Sequence, residues 1–160
     1  MWGSHGATIV RWEPSKQPVS SHLQTGVVVS LTRSATGTAF AAYMDRELTQ
    51  PFVDRELALQ DANEKVNGGA FAARLLETQQ HGLARSVGGA PSELHQVTVN
   101  AFSAPVFNAK GEMVLAISTT CRADALSPDW DGDVPSALLA AARRLSARLG
   151  YVAAPPAALA

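Results

Sequence analysis

Cysteine is nearly absent from this 160-residue chain, where Cys121 stands alone, and that excludes an internal disulfide or a multi-thiolate metal cluster. A reducing cytoplasm is the simplest compartment for it. An excess of either charge is also missing, with 13 basic against 14 acidic side chains and a formal net charge of −1. No phosphate-neutralising surface for nucleic acid is indicated, because such surfaces need clustered Lys and Arg. Long apolar runs are lacking too: residues 137–142 and 26–31 are among the longest, far below the roughly 20 residues a spanning helix requires. Residues 1–6 carry neither the positive segment nor the apolar core of an export signal, and so abrupt a start suggests a fragment. His5, His22, His81 and His95 show no metal-ligand spacing, which fits surface or capping roles. The pairs Gly68-Gly69 and Gly88-Gly89 lack the lysine or the glycine spacing of phosphate and dinucleotide loops. No cofactor and no metal is therefore expected.

What is present is a chain 46% hydrophobic and 17% charged, the composition and length of one globular domain. A domain of this size buries roughly 70% of the surface its unfolded chain exposes, so it needs no covalent staple. Residues 7–12 (ATIVRW) and 26–31 (GVVVSL) read as strands, separated by a proline-containing loop. The polar turn 32–37 leads into an alanine-rich helix over 38–43. Asp45 is placed to cap a following helix that bears Leu48, Phe52 and Val53, with Pro51 as an interruption, and a further helix around Phe71, Leu75, Leu76 and Gln79 ends at Gly82. Residues 88–92 read as a loop. The clearest β signal follows: residues 97–107 and 112–120 flank Asn108-Ala109-Lys110-Gly111, the length and glycine placement of an antiparallel hairpin. Val134, Leu138, Leu139, Ala142, Leu145 and Leu149 form a helical stripe suited to covering a sheet face, capped by Asp131 or Asp133 and ended by Gly150. The expected domain spans 1–152, with 153–160 as a flexible tail. A short hairpin and grouped helices favour α+β with an antiparallel sheet over a doubly wound parallel one.

Few residues offer chemistry. Cys121 has no histidine or second cysteine near it in sequence, and Glu47, Asp54, Glu56, Asp129, Asp131 and Asp133 fit solvated helix faces and caps better than acid–base pairs. The informative set is small polar residues inside apolar segments: Ser34 and Thr36 before a helix, Asn100 and Ser103 on one strand, Ser118 and Thr120 on the next. Residues of equal parity share a strand face, so Val99, Ala101 and Ser103 look one way and Asn100 and Phe102 the other. If Val99 and Ala101 face the side of Ser118 and Thr120, the helix after Ser34-Ala35-Thr36-Gly37 closes a pocket whose N–H donors suit a carboxylate, without any arginine.

At this point the sequence resembles the effector-binding domain of IclR-type transcriptional regulators. The resemblance rests on an ordered set of motifs covering nearly the whole chain: WGSHGATIVRW at 2–12, LTRSATGTAF at 31–40, HGLA at 81–84, VNAFSAPVFNAKG at 99–111 and AAARRLSARLG at 140–150. It implies a GAF-like or profilin-like fold, a curved antiparallel sheet of about six strands flanked by helices. It implies that the first helix and strand of the domain are truncated, and that DNA is bound only by an N-terminal winged helix-turn-helix absent from this chain. Homodimers or dimers of dimers are implied, with a small organic-acid effector. Carried over by position, the family's effector contacts fall on Ala35, Thr36, Val99, Ala101, Ser118 and Thr120, with Ser34 and Asn100 added beside them. A further polar or acidic contact of the family falls near Ser86, where this chain has no acid and a longer loop to Val97. No catalytic residue is implied. The competing readings are a thiol-dependent reductase on a GAF-like fold, disfavoured by the single cysteine, and a dimerisation module with an occluded pocket.

Overall fold

The computed structural model describes residues 1–15, 23–59, 68–89 and 97–153. Two short strands, β1 (Trp2–Gly3) and β2 (Gly6–Ala7), form a tight antiparallel pair at the N-terminus. Three helices follow, α1 (Ala35–Tyr43), α2 (Arg46–Ala58) and α3 (Gly68–His81). The main sheet comprises β3 (Ala84–Gly89), β4 (Val99–Phe107) and β5 (Met113–Arg122) in the order β3-β4-β5, all antiparallel. Helix α4 (Asp133–Arg148) closes the chain. The class is α+β. Among the described residues there are five strands in two sheets, where the resemblance led to an expectation of about six in one.

Local sequence explains most of these elements. The hairpin turn forms where expected, because Asn108 accepts from the N–H groups of Lys110 and Glu112 through its side chain and Gly111 takes a positive φ. Asp45 caps α2 by accepting from the Glu47 N–H at 2.9 Å, and Pro51 lies inside that helix without ending it. Gly82, at φ +72°, terminates α3 in the left-handed conformation. Other expectations are corrected. The helix expected over 38–43 begins three residues earlier, because Ser34 caps it. The expected strands 7–12 and 26–31 are reduced to β2 and a bridge between Thr8 and Val28, with ladder bonds such as Ile9 N–H to Val27 C=O at 2.9 Å. Gly88 and Gly89 belong to β3, which the glycines had hidden. Gly132, with no side-chain bond, stands at the cap of α4 where Asp131 or Asp133 was expected. His22, His95, residues 90–92 of the expected loop and 154–160 of the expected tail lie outside the described residues.

The sheet separates two cores. Phe40, Leu31, Ala35, Ala39, Phe71 and Met113 fill the side carrying α1, α2 and α3. Phe102, Ala104, Val106, Leu83 and Ala142 fill the side covered by α4. Burying each large side chain contributes roughly 1.5–3 kcal/mol, so the two faces of β4 together anchor the fold. Ser146 of α4 donates to the Ala142 carbonyl and accepts from the Phe107 N–H at 3.0 Å, satisfying the backbone at the bulge between Val106 and Phe107.

Candidate functional site

The start of α1 is pinned from three directions. Ser34 accepts from the Gly37 N–H at 2.9 Å and donates to the Ser30 carbonyl at 2.6 Å. Glu56 of α2 then gathers the preceding turn. Its carboxylate accepts from Ser30 Oγ (2.6 Å), Leu31 N–H (2.9 Å), Thr32 N–H (2.9 Å) and Thr32 Oγ1 (2.8 Å). The expectation that Glu56 sits on a solvated helix face is therefore corrected: this acid orders a loop. Gly37 completes the arrangement, since a Cβ there would overlap the Ser30 carbonyl oxygen and Leu31 Cα and lie 2.7 Å from the Ser30 carbonyl carbon. Only glycine lets α1 approach this closely. By helix geometry the N–H groups of Ala35 and Thr36 have no partner inside the helix, and they point out of its first turn.

Helix α1 lies on one face of β3, β4 and β5. Strand register decides which residues meet it. Ser103 pairs with Ser118, and Ala101 with Thr120, while Ala84 and Ser86 extend those two rows onto β3. In the first row the hydroxyls form a chain: Thr36 Oγ1 and Ser118 Oγ share a hydrogen bond of 2.8 Å, and Ser118 Oγ and Ser103 Oγ another of 2.8 Å. Ser103 is wholly buried whereas Ser118 reaches solvent. In the second row, Ser86, Ala101 and Thr120, the Thr120 Oγ1 is buried with no hydrogen-bond partner. A buried hydroxyl left in that condition costs about 1–3 kcal/mol, unless something absent from the chain itself bonds it.

The eight residues expected at the site thus divide. Thr36 meets Ser118 at the α1 N-terminus, Ala101 and Thr120 form the adjacent row of the same strand face, and Val99 follows on that face, paired with Arg122 and Gly89. Ala35 contributes its backbone, its methyl being part of the core, and Ser34 is committed to capping. Asn100 is not brought to the site. It faces α4, where its side chain accepts from the Gly88 N–H at 2.8 Å and donates to the Leu126 carbonyl at 2.7 Å. Its opposite parity requires this, since the bulge in β3 between Ser86 and Gly89 does not turn β4 over. Ser103 and Ser86 lie in these two rows as well, and strand parity was the signal for Ser103.

Other candidates lie elsewhere. Cys121 pairs with Asn100 on the α4 side, on the sheet face opposite the hydroxyl rows. His81 stacks on Trp130 at 4.0 Å, and Arg85 covers the same ring at 4.1 Å while donating to the Pro128 carbonyl at 2.6 Å. Asp129, Asp131 and Gly132 complete that open cleft on the far side of the sheet. No group of three potential metal ligands exists among the described residues, and no described helix is long and apolar enough to cross a membrane.

Hydroxyls set on an apolar sheet face beside a helix N-terminus are the kind of groups that small-molecule binding domains use. The motif order agrees with that class and narrows it. The chain belongs to the IclR family: residues 1–147 match the family model described as Bacterial transcriptional regulator IclR C-terminal. Among solved structures, HmgR of Pseudomonas aeruginosa is 30% identical over 96% of this chain and 59% of its own, with a TM-score of 0.80. The Thermotoga maritima IclR aligns at 19% identity and TM-score 0.69, covering 85% of this chain and 53% of that one. The inducer-binding domain of the PobR transcription factor from Acinetobacter, a double mutant solved with 3-hydroxybenzoic acid, aligns at 20% identity and TM-score 0.59, covering 88% of this chain and 75% of its own. The chain spans a little over half the length of the first two. No functionally curated protein matches it.

Proposed function

We propose that this chain is the effector-binding domain of an IclR-type transcription factor of the bacterial cytoplasm, taking a small carboxylate or aromatic acid at the α1 N-terminus. The observation that carries this reading is the buried, unpartnered Thr120 hydroxyl beside the Thr36–Ser118–Ser103 chain. A ligand oxygen supplies the missing partner. The first turn of α1 adds N–H donors and a positive dipole end, which favour an anion. The PobR complex with 3-hydroxybenzoic acid supports the choice of an aromatic acid. A curved, GAF-like sheet is part of this reading, with the antiparallel order β3-β4-β5 as its described core.

The domain performs no chemistry in this reading. Effector binding shifts the populations of two arrangements of a dimer, or a dimer of dimers, and only a difference in affinity between the arrangements moves the switch. Operator DNA is held by a winged helix-turn-helix outside this chain. A thermal-shift screen of organic acids tests the site. An acid at about 100 times its Kd stabilises by about 2.7 kcal/mol, or roughly 5–10 °C in a domain of this size. Ser118→Ala combined with Thr120→Val abolishes that response. A double variant that responds like the parent removes the site.

A further inference from the structure

Only two side chains among the described residues contain a fully buried polar atom without a hydrogen-bond partner: Thr120, at Oγ1, and Arg74, at Nε. Arg74 lies on the inward stripe of α3 with Phe71, Leu75 and Thr78, at helical spacings of three, four and seven. A charged residue in that stripe requires a reason. Its guanidinium sits 5.4 Å from the centroid of the Phe71 ring and donates through a terminal nitrogen to the Thr32 carbonyl. Thr32 is two residues from the Ser34 cap, so the guanidinium stands at the entrance to α1. The short turn at Gly82 folds β3 back against α3, and Ser86 of β3 opens the row that runs through Ala101 to Thr120. Helix α3 packs on both α1 and β3, so Arg74 belongs to the element that borders the turn before α1 and the strand on which the row begins.

No carboxylate of the described residues pairs with this cation, although ion pairs such as Arg122–Asp124 form at the surface. Burial pushes the Arg74 pKa down, and Glu77, three residues on, offsets only part of that. A partly desolvated guanidinium with a free Nε–H is strongly primed for a charge-assisted bond to a carboxylate.

We infer that Arg74 supplies the positive charge that holds the effector's carboxylate at the N-terminus of α1, making the acid group an obligatory part of the effector. This rests on the effector site proposed above and replaces the expectation of an anion site without arginine.

The test uses the 15N-labelled chain, with formate and 3-hydroxybenzoate as probes and formamide and 3-hydroxybenzamide as their neutral counterparts. At least one acid shifts the arginine Nε–H resonance that disappears in Arg74→Lys, and neither amide moves it. Arg74→Gln weakens binding of that acid tenfold or more. An acid bound with unchanged affinity by Arg74→Gln, or failure of both acids to move the resonance in the unsubstituted chain, overturns the inference. The resonance is read in the unsubstituted chain, so the result stands even if Arg74→Gln fails to fold. Binding kept by Arg74→Gln but lost in the Ser118→Ala, Thr120→Val pair removes Arg74 and leaves the site; binding kept by both removes the site as well.

Discussion

Replacing Thr120 by valine should make the empty domain more stable while destroying its capacity to respond. Valine keeps the branched shape and removes only the hydroxyl, whose oxygen is buried without a partner. Such a hydroxyl costs about 1–3 kcal/mol in the ligand-free fold. Some of that is offset by solvent reorganisation near the half-buried side chain, so a gain of about 1 kcal/mol is expected. In a domain of about 150 residues this raises the Tm by roughly 2–4 °C. Ala101, directly across the strand pair, presents only a methyl to the new group, so the substitution introduces no cross-strand clash of polar type. Differential scanning calorimetry of parent and Thr120→Val without added ligand, followed by the same pair with a bound acid, separates the two effects. The variant should melt higher when empty and gain less from the acid. A variant that melts lower when empty would show that the hydroxyl serves the fold, and the argument for an effector oxygen beside it would fail. Conflict between stability and function is the expected mark of a binding site that folding alone does not satisfy.

Further outcomes follow from the same structure. Gly37→Ala should destabilise by about 3 kcal/mol, the upper end for overpacking, because the new methyl meets backbone at Ser30 and Leu31 that Glu56 holds in place; urea denaturation measures it, and a loss under 1 kcal/mol contradicts the close approach. Asn100→Ala should cost about 2–3 kcal/mol by stranding the Leu126 carbonyl and Gly88 N–H, yet leave acid affinity within about threefold, which calorimetric titration checks. Glu56→Ala should lower stability by a similar amount, about 2–3 kcal/mol, and also weaken acid binding, because the turn that sets the α1 N-terminus loses its acceptor. Tyr43 ionises above the ordinary tyrosine value because burial, and then Tyr151, disfavour its phenolate. Its contribution is complete below about pH 10, the unfolded value, and disappears as pH rises through the folded pKa, so Tyr43→Phe should flatten the stability profile on the alkaline side.

What could be read from sequence was governed by local periodicity. The two-residue period of 97–107 and 112–120 led to the hairpin and, through parity, to the shared face of Ala101, Ser118 and Thr120. The stripe of α4 was equally legible, although Val134 and Leu149 at its ends are each 41% exposed and lie outside the core. Strand β3 escaped notice because Arg85, Ser86 and two glycines carry little β propensity, and only pairing with β4 makes it a strand. The roles of Glu56 and Arg74 depend on contacts 24 to 42 residues away in the chain, which no local pattern encodes. Charged helix residues look alike in sequence whether they face water or a turn. Asn100 was added beside the family's contacts against its own parity, and parity alone would have excluded it.

The most direct test is a crystal structure of this chain soaked with the acid that stabilises it most. Electron density for the ligand beside Thr120 and Ser118, at the first turn of α1, is the predicted result. Density confined to the cleft of His81, Arg85 and Trp130 on the opposite side of the sheet, with the hydroxyl rows unchanged, would contradict it.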